Sequence, residues 1–491
     1  MSAARRLMVV RFAPWMAYAD RHPHDLMWPM EALVAAAFAR RRGWESRILD
    51  LHVEAYEEGQ VARRVLAADP ELLLITSTSA TMAAARLLAA RLRRARPGLR
   101  AWAVGQHASA LPGDLVYPDS PFDGAVRGEW GVAAPALLEG RHDFEGAATW
   151  SAADGGLRLV GQPAEAHDLD SLPPIDPSGL HLRRYRMRSM HVPSLRPQRW
   201  GYLHTSRGCQ HACIFCSPTL RQSYGAAWRG HSAERVVDDL ARLQRDHRLS
   251  AFYFLDDLFS FDRGRVLAIS EELLRRRVRL HWVVQTRADR LDPDVLRAMK
   301  AAGCCSVKIG VESGSDRVLR VLGKGVSRDG LLESARAIKE SGLFLTACFI
   351  LGNPDETLDE VEETWRMARA IGADMIQVAF HTPHPGSISY ERYCQQVEDM
   401  ELLTHYELQA VNLSRIARHD LERKQREFYL RYYFSPDIFL NYLRRRALYR
   451  MADPDEWKLV VSALRFWNRG ESAVAHPGRA RPVVPGLPGR A

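Results

Sequence analysis

Three of the chain's seven cysteines fall on one short stretch, Gly208-Cys209-Gln210-His211-Ala212-Cys213-Ile214-Phe215-Cys216, spaced C-x3-C-x2-C. Thiolates on a single loop can take three corners of a cubane iron–sulfur cluster. The loop has no fourth cysteine, so one iron would stay open to a non-protein ligand. A fourth would close the site and make it an electron carrier. Zinc is the competing use, because His204 and His211 are near enough in the chain for a Cys3His site. Structural zinc more often takes paired C-x2-C knuckles or added histidines. Cys304, Cys305 and Cys348 fall on or beside expected core strands and read as packing residues; Cys394 has no clear place. Seven cysteines in a long chain with no secretory signal do not make a disulfide framework.

The elements that must hold this loop read as repeated β-α units. Apolar, β-branched or aromatic runs at about 201–206, 251–255, 281–285, 306–311, 346–351 and 375–380 alternate with helical patterns, one of them at about 233–246. Each run ends in a polar or Gly/Pro cluster, and in parallel α/β barrels those carboxyl ends carry the chemistry. The clusters include Asp256-Asp257, Thr286-Arg287, Glu312-Ser313-Gly314 and Gly352-Asn353-Pro354. Asp257 would also serve as a helix N-cap, and Arg287 as a plain surface ion pair. Gly352-Asn353-Pro354 would also serve as a simple turn before a helix cap.

A second β-α series fills residues 1–140. Its strands are expected at 7–12, 46–49, 72–76, 101–104 and 124–127, and its helices at about 30–42, 57–67, 80–96 and 131–139. This is a doubly wound, Rossmann-like pattern, whose ligands lie beyond the carboxyl ends of the strands. Ser77-Thr78, Gly105-Gln106-His107 and Gly128-Glu129 stand there.

Tyr202-Leu203-His204-Thr205-Ser206-Arg207-Gly208-Cys209, with Cys213 and Phe215-Cys216, resembles the cluster loop of the radical S-adenosylmethionine (radical SAM) superfamily. The resemblance implies a [4Fe-4S] cluster on Cys209, Cys213 and Cys216, with SAM chelating the open iron. It implies that Phe215 lies by the adenine and Asp256-Asp257 near the SAM amino group. It also implies that Arg287 pairs with the SAM carboxylate and Glu312-Ser313 meets the ribose. A doubly wound unit placed before such a core resembles the cobalamin-binding (B12-binding) branch of the superfamily. There Ser77, Thr78, Gly105, Gln106 and His107 would hold the nucleotide tail, and Gly128-Glu129 would close the domain. Two departures stand out. Gly105-Gln106 replaces a frequent glycine pair, and Asp50-Leu51-His52-Val53-Glu54-Ala55 lacks the D-x-H-x-x-G lower-ligand pattern.

The fold class implied is α/β. A B12-binding-type domain (1–140) and a connector across the barrel mouth (141–198) precede a partial (βα)6 barrel (199–394). A helical region (395–472) with a Tyr/Phe/Arg-rich stretch at 426–434, suited either to capping the barrel or to plain helix packing, leads to a disordered Pro/Gly/Arg-rich tail (473–491). The commonest activity in that branch is methyl transfer to an unactivated carbon or phosphorus of a small-molecule, lipid or natural-product substrate. The alternatives are an oxidative cyclase or rearrangement enzyme, a methylthiotransferase, and a non-catalytic zinc module. Methylthiotransferases usually carry three more N-terminal cysteines, and residues 1–200 hold none. An electron donor such as flavodoxin or ferredoxin is implied as a partner.

Composition agrees with a globular enzyme. The chain has 491 residues, 46% hydrophobic and 26% charged, which excludes disordered, collagen-like and coiled-coil classes. No run of 18 uncharged apolar residues suggests a membrane span. Met1–Phe12 reads as a first strand rather than a signal peptide, so a cytoplasmic location is expected. The net charge of +9 is mostly arginine spread over helix faces. Without a basic stripe carrying stacking aromatics, no nucleic-acid partner is expected.

Overall fold

The structure is a computed structural model. It describes residues 5–12, 26–54, 57–185, 199–216, 223–394 and 411–438, with single positions around 397–403 and at 440. The expected tail, and most of the helical region beyond 440, lie outside the described residues.

The first sheet is built from β1 (Arg6–Arg11), β2 (Glu45–Asp50), β3 (Leu72–Thr76), β4 (Arg100–Val104) and β5 (Gly124–Val126). All five run parallel, in the order β2-β1-β3-β4-β5. Their connections are α1 (Met30–Arg41), α2 (Glu58–Ala68), α3 (Met82–Ala95) and the short α4 (Gln106–Ala110). A short α5 (Ala134–Leu138) follows β5. The strands are near-continuous apolar runs such as Leu72-Leu73-Leu74-Ile75, as parallel strands covered on both faces must be.

The sheet runs on past residue 140, where the sequence placed its end. β6 (Ala147–Ser151) pairs antiparallel with β5, and β7 (Gly156–Leu159) pairs antiparallel with β6. A hairpin needs no crossover helix, so the Gly/Ala-rich composition of this stretch hid its strands. Beyond it, residues 170–175 of the stretch expected to cross the barrel mouth lie along an outer helix. Arg235 donates to the Asp170 and Leu172 carbonyls, and Arg242 donates to that of Ile175. Residues 186–198 lie outside the described residues.

The second sheet holds β8 (Trp200–Leu203), β11 (Ala251–Phe254), β12 (His281–Thr286), β13 (Cys304–Glu312), β14 (Phe344–Leu351) and β15 (Met375–Phe380). All are parallel neighbours in chain order, and β15 does not pair with β8. A two-stranded ribbon, β9 (Ser206–Arg207) with β10 (Arg229–Gly230), follows β8. The outer helices are α6 (Ala233–His247), α7 (Arg263–Arg275), α8 (Pro293–Ala301), α9 (Asp316–Val321), α10 (Arg328–Glu340) and α11 (Leu358–Ile371). In α6, Val236, Val237, Leu240 and Leu243 form one buried stripe, and Ser232 caps the helix by accepting from Arg235 N at 3.2 Å. Phe254 stacks on Trp282 at 5.1 Å in the core below. Cys304, Cys305 and Cys348 do pack in this sheet, each donating its thiol to a nearby oxygen.

The open edge of the barrel is sealed by side chains. After the short α12 (Ile388–Tyr393), α13 (Arg418–Tyr433) lies on β15. The Tyr433 hydroxyl accepts from Ile376 N at 3.0 Å and the Tyr429 hydroxyl from Val378 N at 2.8 Å. Gln425 donates to the Val378 carbonyl at 2.9 Å. Three side chains thus occupy ladder positions that a seventh strand would use, which blunts an exposed edge. The Tyr/Phe/Arg-rich stretch therefore closes the side of the barrel. Among the described residues, no helix is long and apolar enough to cross a membrane.

Candidate active site at the cysteine loop

β8 ends at Leu203, and the chain turns through Thr205 and β9 into the cysteine loop. Asp256 sets this turn. Its carboxylate accepts from Thr205 N at 2.6 Å, the Thr205 hydroxyl, and the Ser206 hydroxyl at 2.7 Å. Asp256, expected near the SAM amino group, is fully buried and engaged by the loop itself. Asp257 accepts from Gly208 N at 3.0 Å, and burial pushes its carboxyl up to about 8. It caps no helix; Asp262 does, accepting from Arg265 N at 3.0 Å. Gly208 has φ +83°, and a Cβ there would lie 2.1 Å from the Ala227 carbonyl, so only glycine fits ahead of the first cysteine.

Cys209 and Cys213 are buried and Cys216 is half-buried. Burial pushes all three thiols up, and their mutual repulsion pushes Cys216 up further. Two cations oppose this. Arg287 Nη1 lies 4.0 Å from Cys213 Sγ, and Lys324 also favours the Cys213 thiolate. Thiolate is the ligand form, so the cations supply what metal binding needs. Among the described residues no three His, Cys, Asp or Glu side chains converge on one ion. The His204 ring is buried, held neutral by that burial, and 3.3 Å from the Tyr224 hydroxyl.

Arg287 is not a surface residue. It is buried and forks onto Asp289 at 2.9 and 3.1 Å. Glu312 ends β13 at φ +69°, and its carboxylate accepts from Lys324 Nζ at 2.8 Å. Both are buried, and burial alone would lower the Lys324 ammonium, but Glu312 and Cys213 hold it up. Lys324 also lies 5.8 Å from the Phe215 ring. Sequence reading missed this lysine, because Leu322-Gly323-Lys324-Gly325 follows no strand. Ser313, expected at the ribose, has its hydroxyl 3.0 Å from that of Thr364 on α11. After β14, Glu356 accepts from Gly352 N at 2.7 Å and Asn353 N at 3.0 Å, while Asn353 reaches His381 at 3.1 Å. His381 meets the edge of Phe215 at 6.5 Å.

The N-terminal strand ends gather a second group. Ser77 N donates to the Val104 carbonyl at 2.8 Å, and the Ser77 carbonyl accepts from His107 N at 3.1 Å. Thr78 closes a capping box with Thr81. His107 is buried between Ser79 at 3.2 Å and Asp114 at 3.3 Å. Gly105 has φ +102°, and a Cβ there would lie 3.0 Å from the Ser77 carbonyl. Ser109, in the same turn, accepts from Gly128 N at 3.1 Å and donates to the Gly105 carbonyl at 2.9 Å. Thr78, Gly105 and Gln106 stay half-buried at this edge. A neutral edge of backbone and hydroxyls fits a large ligand packed over it.

Glu129 belongs to neither ligand group. It is fully buried, and Arg207 and Arg229 both pair with it, the latter at 2.8 Å. Arg207 also reaches Glu31 on α1 at 3.0 Å. Glu129, expected among the cofactor contacts, links the first sheet to the cysteine loop. Its partner, Arg207, stood unassigned inside the loop motif.

A doubly wound unit tied to an open six-stranded barrel, with three cysteines on the barrel's first loop, defines a two-domain α/β enzyme built around an iron–sulfur site. The Radical SAM superfamily model matches residues 203–368 and the B12 binding domain model matches residues 23–138. The chain is 30% identical over 370 residues to an uncharacterized methyltransferase of Pyrococcus horikoshii, covering 74% of this chain and 78% of that protein. It is 26% identical to an anaerobic magnesium-protoporphyrin IX monomethyl ester cyclase of Rubrivivax gelatinosus, covering 76% and 67%. The fold matches the cobalamin-dependent S-adenosylmethionine radical enzyme OxsB with a TM-score of 0.69, at 15% identity, over 95% of this chain and 71% of that one. The chain belongs to the radical SAM superfamily, in its B12-binding branch.

Proposed function

We propose that this protein is a cobalamin-dependent radical SAM methyltransferase acting on an unactivated carbon or phosphorus of a small-molecule, lipid or natural-product substrate. The observation that carries the reading is the buried Arg207–Glu129 contact, which brings the end of β5 in the B12-type unit against the loop of the three cysteines. A methyl donor held by one unit must come close to a substrate activated at the other, and fixed proximity is what such a step requires.

Cys209, Cys213 and Cys216 would hold the [4Fe-4S] cluster. Bound here, the cluster and SAM would supply a hydrogen-abstracting radical, and the cobalamin a methyl group. Arg287 and Lys324 partly offset the burial that raises the Cys213 thiol and so favour its thiolate, and Phe215 offers an apolar face for the adenine. Glu312 can offer its second carboxylate oxygen to sugar hydroxyls while Lys324 holds the first. Thr78, Gly105 and Gln106 line the edge suited to the cobalamin tail. The reducing electron would come from a flavodoxin- or ferredoxin-type donor, and the working compartment would be the cytoplasm.

The test is anaerobic reconstitution with iron, sulfide and cobalamin, followed by product counting from SAM. Methyl transfer yields S-adenosylhomocysteine together with 5′-deoxyadenosine. The likeness to a cyclase gives a second reading, cyclisation without methyl transfer, which yields 5′-deoxyadenosine without S-adenosylhomocysteine. Protein that binds zinc and no iron sinks both.

A further inference from the structure

The two units meet through a set of buried charges, and its geometry reaches the first cysteine directly. Glu31 on α1 and Glu129 after β5 come from the B12-type unit. Arg207 on β9 and Arg229 on β10 come from the barrel. Arg207 is 3% exposed on its side chain and is shared between Glu129 and Glu31. Arg229, facing it across the β9–β10 ladder, holds Glu129 at 2.8 Å and Glu165 at 3.0 Å. Glu31 is itself fixed, because its other oxygen accepts from Gly131 N at 2.9 Å. The Arg207 guanidinium also lies 5.2 Å from the Tyr224 ring.

A buried network of this kind is weak evidence for stability, since desolvation offsets much of its attraction. What it does is specify one arrangement, because an arginine fork accepts carboxylates only in defined directions. Arg207 is joined to Cys209 through the single residue Gly208, whose backbone is pinned by the Ala227 carbonyl and by Asp257. Little slack remains between the fork and the first thiol.

We infer that Arg207 and Glu129 are positioning residues that set the gap between the bound cobalamin and the cluster. The inference rests on the cofactor reading above and adds what this chain's own residues do to the spacing. Neither residue touches a reacting atom. A displacement of about 1 Å in a reacting pair can cost roughly a hundredfold in rate, so a clamp at this point matters.

The test uses the full chain reconstituted with iron, sulfide and cobalamin, then reduced so that cob(II)alamin and the cluster are both paramagnetic. Their coupling speeds relaxation of the cob(II)alamin signal in a distance-dependent way, read by microwave-power saturation. In Glu129→Gln the half-saturation power is expected to drop several-fold at unchanged iron and cobalamin content. Arg207→Lys, which keeps the charge and loses the fork, is expected to fall between. Wild-type saturation in both variants overturns the inference. A second arm uses cofactor-free protein, in which Glu129→Gln is expected to speed amide exchange in peptides 126–133 and 203–216 together. Unchanged exchange overturns the clamp. If Glu129→Gln fails to fold, Arg207→Lys decides on the same readings. Wild-type protein that takes up no iron or cobalamin overturns the functional reading, and the exchange arm still judges the clamp by itself.

Discussion

The carboxyl ends of β3 and β4 in the first sheet and those of the barrel strands are dressed in opposite chemistry. In the N-terminal sheet, Ser77 bonds Val104 and His107, Thr78 bonds Thr81, and Ser109 bonds Gly105 and Gly128, all through backbone and hydroxyl groups. In the barrel, Asp257, Arg287, Glu312 and Lys324 bring charges into the interior around the cysteines. The contrast teaches what each end is suited to hold. Many weak neutral contacts suit a large ligand spread over an edge. Buried charges of fixed sign suit a small zwitterion and an anionic cluster, and they carry a larger penalty when broken.

The largest expected effect tests the charged end at its centre. Cys213→Ala should abolish SAM cleavage in reduced, reconstituted protein, and any retained 5′-deoxyadenosine formation would remove the cluster from this loop. Next, Glu312→Ala strands a buried ammonium on Lys324. The expected loss of stability is about 3–5 kcal/mol with weaker SAM binding, followed by thermal unfolding and equilibrium dialysis. Glu312→Ala, Lys324→Met should recover much of the stability but not the SAM affinity; recovery of both would make the pair purely structural.

A pH series sharpens the same contrast. Burial raises the Glu356 carboxyl to about 7, against an ordinary value of 4.5. The folded state therefore holds this proton more tightly than the unfolded chain. Its contribution favours folding most below about 4.5 and declines as pH rises toward 7. Melting temperature should fall over that window by more in the wild type than in Glu356→Gln; parallel profiles would refute the assignment.

The neutral end should respond more mildly. Gly105→Ala forces a side chain into φ +102° against the Ser77 carbonyl. The expected cost is about 1–3 kcal/mol, with reduced cobalamin retention on gel filtration. Full retention would move the tail site elsewhere. The smallest effect belongs to the sealed edge of the barrel. Tyr433→Phe leaves Ile376 N without its hydroxyl partner. It should cost about 1 kcal/mol in denaturant unfolding with no change in SAM cleavage.

The cysteine loop and most of the strands were legible because their signals are local. Three thiols spaced over one turn of chain state their chemistry without a partner, and a parallel strand announces itself as a short apolar run. The hidden features all depend on distant partners. Ser313 looked poised for a ribose, yet Thr364, far along the chain on α11, takes its hydroxyl. Asp256 looked like a ligand carboxylate, yet the loop it supports consumes its acceptors. The β6–β7 hairpin showed only as short strand-like pieces, because its pairing with β5 depends on residues far from any local signal.

Residue type and spacing were enough to define the β-α series, the open-cornered cysteine set and the order of the two units. Hydrophobic period and metal-ligand preference act over a few neighbouring residues. Folding alone decided which charges meet: Glu129 with Arg207, Glu312 with Lys324, and the tyrosines of α13 with the edge of β15. Such pairs become strong only after burial has stripped water from both members, and burial is a property of the packed chain.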